Sequence, residues 1–400
     1  MARRLIVQKF GGTSVSTAER RAQVVDHVAR ARGAGHEVAI VVSAMGRRGD
    51  PYATDTLLDL LRADGGPVDT VDYNTLFVTG EMIAAAVVSQ ALKRAGIPAV
   101  SMSGVQARIF AAGNAREAEV THIDTSRLEY HLGRGEVPVV TGGQAVFPDT
   151  LEFATLGRGA SDTSGVLVGI ALGAERVEIF TDVTGVATSD PRLVPGARWV
   201  RRVGFRRMHE LARFGAKVVH PRAIMAGWNA HTPIVVRSTF SHDPGTLIGD
   251  VEDEAPLLGL AVLCPMETRL VGSGSVDGDR RGEWERQRSI MSIRDESSGL
   301  LVLGAPAEKA AELDHTLSGA GLDVEAVAPA TAWVSVIGDP DAVTTWRGRL
   351  RASLVDAGVD AAYEEDAEGR ITFVVPAASL SPSVAALHAR CFEDEGSPVS

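Results

Sequence analysis

The sequence predicts an α/β protein, with a mainly parallel sheet sandwiched by helices over residues 1–245 and a smaller α+β region after it. Three observations carry this. Short apolar runs such as "LIVQKF", "EVAIVV" and "VPVVT" alternate with amphipathic stretches, the pattern of a parallel sheet covered on both faces. Glycine-rich turns follow several of these runs. The alternation then changes character beyond the acidic stretch "GDVEDEAP".

In chain order, residues 5–10 read as a strand, 17–34 as a helix, and "EVAIVVSAMG" as a second strand ending at Ser43 to Gly46. This opening is a βαβ unit. A helix over 80–96, the run "IPAVSMSG", a helix over 126–135, the run "VPVVTGG", a helix over 162–173 and the run "RVEIFTDV" continue it. Ligands of such sheets sit beyond the C-terminal ends of the strands, where Ser43, Gly142 and Asp182 fall. Clustered Pro, Gly and acidic residues predict a linker over 246–256, and residues 257–400 form the second region. Strands are expected there at 299–303, 322–328, 331–337, 359–364 and 371–375, with helices between some of them. No internal repeat is evident in the sequence.

Four hundred residues suggest two or three domains, and 45% apolar with 23% charged residues fits an ordinary globular chain. A net charge of -11 argues against a nucleic-acid surface, which needs clustered Lys and Arg to displace counterions. Two cysteines, Cys264 and Cys391, are too few for a disulfide framework or a zinc site. With no sequence resembling a signal peptide or a membrane span, the expected location is cytoplasmic.

Lysine is scarce: the 40 basic residues comprise 36 arginines and only Lys9, Lys93, Lys217 and Lys309. Lys9 ends the first strand before Gly11 and Gly12, where the backbone turns tightly and an anion can approach it closely. A flexible point charge follows a moving phosphoryl group better than a planar guanidinium does. Read alone, the segment fits a packed strand-to-helix turn with a surface lysine equally well. It is not a Walker A loop, since no Gly-Lys pair occurs anywhere in the chain.

A second cluster, "TLGRGASDTSGV", sets Arg158 between two glycines. There an arginine can hold a carboxylate through two parallel hydrogen bonds, and Ser161 or Asp162 can cap the following helix. Asp162 is also placed to orient a lysine near phosphates. In "FTDVTGVATSDPRLVPGA", Thr181 and Asp182 end a strand, and Asp190, Pro191 and Arg192 form a tight turn that Asx chemistry alone would explain. Lys217, in "FGAKVVHPRA", has no such local explanation. His209, His220, His231 and His242 recur every eleven residues, but intervening prolines forbid a continuous helix, so no metal-ligating histidines are assigned.

Taken in order, "KFGGTSV", "VVSAMG", "TGE" (79–81), "LGRGASDTS", "TDVTGVATSDPR" and "GAKVVHPRA" resemble the aspartokinases of the amino acid kinase family. The tail resembles, more weakly, a regulatory region of two ACT modules. The resemblance implies the amino acid kinase fold and phosphorylation of the L-aspartate side-chain carboxylate by ATP, with Mg2+ carried mainly on the phosphates. It implies that Lys9, Gly11, Gly12 and Lys217 meet the phosphates and that Asp162 organises the two lysines, making Lys9, Asp162 and Lys217 the catalytic set. Glu81 would bind the substrate ammonium and Arg158 its α-carboxylate, with Ser43 and Ser161 assisting. Thr181, Asp182, Asp190 and Arg192 would hold the nucleotide. A homodimer or larger homo-oligomer through the ACT-like region is also implied.

A carboxylate acceptor with a pKa near 4 is already an anion at neutral pH, so the chemistry needs charge neutralisation and alignment rather than a base. Substitutions of Lys9 or Lys217 by alanine are expected to remove activity and leave the fold intact. The chain departs from the family pattern at Met82, Gly143, Ala145 and Ala160 around the amino acid, and at Thr184 and Ala187 near the nucleotide. Its "VSVIGDPDAV" is shorter than the usual effector loop. Two other readings therefore stand beside the first: a paralogue acting on another amino-acid carboxylate, and an inactive ligand-binding subunit.

Overall fold

The computed structural model describes residues 4–63, 65–157, 159–253, 255–272, 284, 290–295, 300–367 and 369–393. Contacts divide the chain into two units: residues 1–186, 201–206 and 217–252 form the first, and residues 187–200, 207–216 and 253–400 the second.

The first unit is built on an eight-stranded sheet in the order Arg202–Gly204, Thr246–Gly249, Ile234–Ser238, Arg176–Thr181, Leu5–Phe10, Glu37–Val42, Val137–Thr141, Ala99–Met102. Neighbours are parallel except Ile234–Ser238 against Thr246–Gly249. Residues 246–249, read above as linker, are thus a strand of this sheet. Their apolar positions Leu247 and Ile248 pair with Val235 and Ile234, which outweighs the turn signals around them.

One face of the sheet packs Ile6, Phe10, Ile40, Val42, Val137 and Val139 against the helices Ala18–Gly33 and Thr70–Arg94. Thr17 caps the first helix by accepting from the Arg20 amide, and Asp69 caps the second by accepting from the Val71 amide. The second helix begins ten residues before the expected start at Gly80. By length and composition it could cross a membrane, but its Ala84, Ala85, Val88 and Leu92 are buried in the core of this unit. A four-stranded sheet, Glu119–Ile123, Ile109–Ala112, Gln144–Val146 and Phe153–Thr155, completes the unit.

Leu5–Phe10 connects through its helix to Glu37–Val42 on one side, while Arg176–Thr181 lies on its other side. The direction of winding reverses there, which opens a crevice at the C-terminal ends of these strands.

The second unit is an antiparallel six-stranded sheet in the order Met291–Arg294, Leu301–Pro306, Leu257–Val271, Val324–Gly338, Arg370–Pro376, Tyr363–Ala367. The expected strands 322–328 and 331–337 are one strand, interrupted only by a left-handed backbone at Ala330, with φ 52°. It pairs along its length with Leu257–Val271, a strand absent from the sequence reading. A repeat the sequence does not reveal is plain here. Leu301–Pro306, a 3-10 turn at 307–309 and the helix Ala310–Gly319 have their counterpart in Arg370–Pro376, a turn at 377–379 and the helix Leu380–Phe392. The halves share the order of elements and a proline at each strand end, but little else in sequence.

Candidate active site

Lys9 is the penultimate residue of its strand, flanked in register by Val41 and Ile179, and only 7% of it is exposed. Its stem passes over Gly165 of the Ala160–Leu172 helix, where an added Cβ would lie 3.0 Å from the lysine Cβ. The ammonium reaches Asp162 Oδ1 at 2.6 Å. The other carboxylate oxygen accepts from the His220 amide at 3.2 Å.

Neither Ser161 nor Asp162 caps this helix. The N-cap is Gly159 in left-handed conformation, φ 70°, which leaves Asp162 free to face Lys9 and Ser161 to share a 2.8 Å hydrogen bond with Ser43.

Glycine acts here through space more than through its amide. The Gly11 N–H is already committed to the Phe180 carbonyl oxygen at 3.2 Å, which revises its expected part in anion binding. A Cβ on Gly11 would stand 3.9 Å from the Lys9 ammonium, so its absence keeps the approach to that charge open. A Cβ on Gly12 would overlap the Ala44 carbonyl oxygen, and the Gly46 amide donates to the Gly12 oxygen at 3.1 Å. Gly12 therefore lets the 43–46 segment close over the first turn.

The same close approach explains why "TGE" lies inside a helix. A Cβ on Gly80 would sit 2.9 Å from the Ala44 Cβ, so glycine brings the helix against the loop and buries Glu81, 5% exposed, behind it. Burial pushes the Glu81 carboxyl up to about 8, against stabilising hydrogen bonds from its own amide, the Ala44 amide and the Thr54 hydroxyl. Its Oε2 has no hydrogen-bond partner among the described residues.

Glu81 lines a cleft of about 230 Å3 with Thr54, Leu58, Tyr73, Phe77, Gly143, Ala160 and Ser161. Tyr73, Phe77 and Glu81 are spaced four apart and so share one face of their helix. Thr54, Tyr73, Phe77 and His220 were not among the residues picked from sequence. The four-residue spacing was visible there, and His220 lies inside a motif already noted.

Thr181 and Asp182 end their strand, the Thr181 hydroxyl donating to Asp182 at 3.2 Å while Arg47 pairs with the same carboxylate at 3.0 Å. Lys217 is exposed, three residues before His220. Asp190 and Arg192 belong to the second unit, where they form an ion pair at 2.6 Å. Arg158 lies outside the described residues. Of the departures, Gly143 and Ala160 line the cleft, whereas Met82 is 42% exposed. Among the described residues no group of His, Cys, Asp or Glu is arranged to hold a metal.

A lysine–aspartate pair and a tight glycine turn stand at the switch point of a doubly covered parallel sheet, beside a cleft with a buried carboxyl, where ligands of such α/β proteins bind. Residues 4–238 match the model of the amino acid kinase family. The Thermus thermophilus aspartokinase is 31% identical over 403 residues, spanning 96% of this chain and 98% of the relative. Aspartokinase 1 of Bacillus subtilis is 41% identical over 245 residues, 61% of this chain, and that match spans only 60% of the relative. In structure, E. coli aspartokinase III in complex with aspartate and ADP aligns over 97% of this chain and 100% of that one, with TM-score 0.77 and 22% identity, a likeness of fold. Aspartate kinase from Synechocystis aligns over 96% of this chain and 68% of that one, with TM-score 0.55 and 31% identity. The chain belongs to the amino acid kinase family and, within it, to the aspartokinases.

Proposed function

We propose that this protein transfers the γ-phosphoryl group of ATP to the side-chain carboxylate of L-aspartate, giving 4-phospho-L-aspartate and ADP. The observation that carries this is the Lys9–Asp162 pair, linked through Ser161 and Ser43 to the cleft that holds Glu81. Both features lie at the crevice where such sheets bind ligands. The names of the relatives and the aspartate–ADP complex of the E. coli neighbour support the substrate pair.

Lys9 would meet the phosphates in the space that Gly11 leaves open, with exposed Lys217 joining from the segment before His220. Asp162 would hold Lys9 in line, because a fixed cation is worth more to a developing charge than a mobile one. The buried Glu81 carboxyl would receive the substrate ammonium, Arg158 its α-carboxylate, and Ser43 and Ser161 would border it. Thr181 and Asp182 would hold the rest of the nucleotide; Asp190 and Arg192, which the resemblance also implies, belong to the second unit. Mg2+ fits as an ion carried on phosphate oxygens and water, since the described side chains supply no ligand cluster. It would neutralise phosphate charge.

The repeated strand–turn–helix order of the second unit supports an ACT-like pair with a regulatory role. Its Val324–Ala330 segment pairs on one side with Leu257–Val271, while Arg370–Pro376 pairs only from Thr331 onward. That leaves an exposed apolar sheet edge suited to a second copy of the chain, which supports a homodimer. Two free cysteines, one exposed, accord with a cytoplasmic location.

The test is hydroxylamine trapping with MgATP and a panel of L-aspartate, L-glutamate and related acids. Hydroxamate from aspartate above the others is expected. Preference for another acid would overturn the substrate, and no signal from any acid would overturn the activity.

A further inference from the structure

The segment that carries Lys217 touches the glycine turn before Asp162 at three points. Arg222 Nη1 donates to the Leu156 carbonyl oxygen at 3.2 Å, on the near side of the turn. The His220 amide donates to Asp162 on the far side, at 3.2 Å. Between them the His220 ring fills the space above Gly159, where an added Cβ would overlap the ring carbon Cδ2 and stand 3.2 Å from Nε2. The ring is fixed in turn by its helix. Nδ1 accepts from the Arg222 amide at 3.3 Å as the N-cap of Pro221–Asn229, which puts the ring proton on Nε2, beside the turn. Burial lowers the pKa of the imidazole and favours this neutral form.

We propose that His220 is a positioning residue that locks Leu156, Gly159 and Asp162 onto the 217–222 segment, so that the amino-acid cleft and the phosphate-facing lysines are set by one side chain. Ala160 and Ser161 line the cleft, Asp162 holds Lys9, and all three follow directly from the turn that the ring supports. Loss of the ring therefore misplaces both halves of the site together. The proposal rests on the kinase reading for its substrates, but its geometry is independent of which acid is used.

The test compares wild type with His220→Asn and His220→Ala in the full chain. Asparagine keeps an acceptor for the Arg222 amide and so keeps the cap, but it withdraws the ring from Gly159. The expected result for His220→Asn is an unchanged melting temperature, a KM for aspartate raised about tenfold, a kcat lowered by a comparable factor, and a weaker enhancement of ADP binding by aspartate. Faster amide exchange at Gly157, Gly159 and Asp162 is expected as well. His220→Ala should add a loss of stability to the same kinetic defect. A folded His220→Asn with normal KM, normal ADP–aspartate coupling and unchanged exchange would overturn the proposal. If wild type phosphorylates no acid, the kinase reading falls, and unchanged exchange alone then decides against the lock.

Discussion

The Lys9 ammonium and the Asp162 carboxylate meet at 2.6 Å with side chains only 9% and 14% exposed, one from a strand end and the other from the first turn of a helix. This pairing alters what substitution should do. Breaking a largely buried ion pair from one side leaves the other charge uncompensated, at a cost of roughly 3 kcal/mol. Lys9→Ala is therefore expected to lower the denaturation midpoint as well as to abolish turnover, against the sequence-based expectation of an intact fold. Lys217, exposed, should lose turnover on conversion to alanine with stability changed by no more than about 0.5 kcal/mol. Chemical denaturation beside the coupled kinase assay checks both, and equal stability of the two variants would refute the distinction.

Glu81 gives the site a pH signature. Its carboxyl is raised by burial to about 8, above the ordinary 4.5, so the folded empty protein holds a proton that the unfolded chain releases. The stability this contributes is fully present below pH 4.5 and is lost as pH rises through about 8; Glu81→Gln should flatten that decline. An ammonium ligand reverses the balance, since it favours the carboxylate. Binding of aspartate at pH 7 should then release close to one proton, seen as a buffer-dependent calorimetric enthalpy. A wild-type enthalpy independent of buffer would contradict the assigned role.

How far the site was legible from sequence depended on what kind of signal each part left. Ser43, Gly142 and Asp182 were picked because strand ends in an alternating pattern declare where ligands sit, and the sheet has those ends where expected, whereas Lys9 was picked by the scarcity of lysine and the glycine turn after it. Glu81 was picked by resemblance, but its helix was begun too late, because Gly80 reads as a breaker when its purpose is close contact with Ala44. The strand Leu257–Val271 and the internal repeat went unseen because antiparallel pairing over long spans leaves no local periodicity. Gly12 illustrates the limit most sharply. The sequence suggests an anion-facing amide, and the fold adds a second demand that it does not reveal, the missing Cβ that admits the Ala44 carbonyl oxygen.

That contact makes its own prediction. A backbone carbonyl cannot move aside as a side-chain tip can, so Gly12→Ala should disrupt the 43–46 segment, with loss of both aspartate turnover and thermal stability. Gly11→Ala meets only ordinary contacts, at 3.7 Å from the Phe180 oxygen and 3.9 Å from the Lys9 ammonium. It should fold normally and raise the KM for ATP by obstructing the approach to Lys9. Thermal melts and nucleotide titrations separate the two, and a stable, active Gly12→Ala would show that the loop does not need to close this tightly.

Phe77 forms an apolar wall of the cleft beside Gly143. Its Cε1 would lie 3.7 Å from a Cβ at Gly143, and its ring stacks with Tyr73 at 6.1 Å, so the wall is made by a helix stripe facing a glycine rather than by residue 143 itself. Apolar walls discriminate substrates weakly, about 10- to 200-fold per methylene, and do so by filling the space a longer chain would need. Phe77→Ala should therefore weaken aspartate use about tenfold in kcat/KM and improve L-glutamate relative to it, without disturbing Glu81 one turn away. Hydroxamate yields from the two acids, measured as a ratio for each variant, give the answer. An unchanged ratio would mean that selection rests on the polar groups alone, with the width of the cleft irrelevant to which carboxylate is phosphorylated.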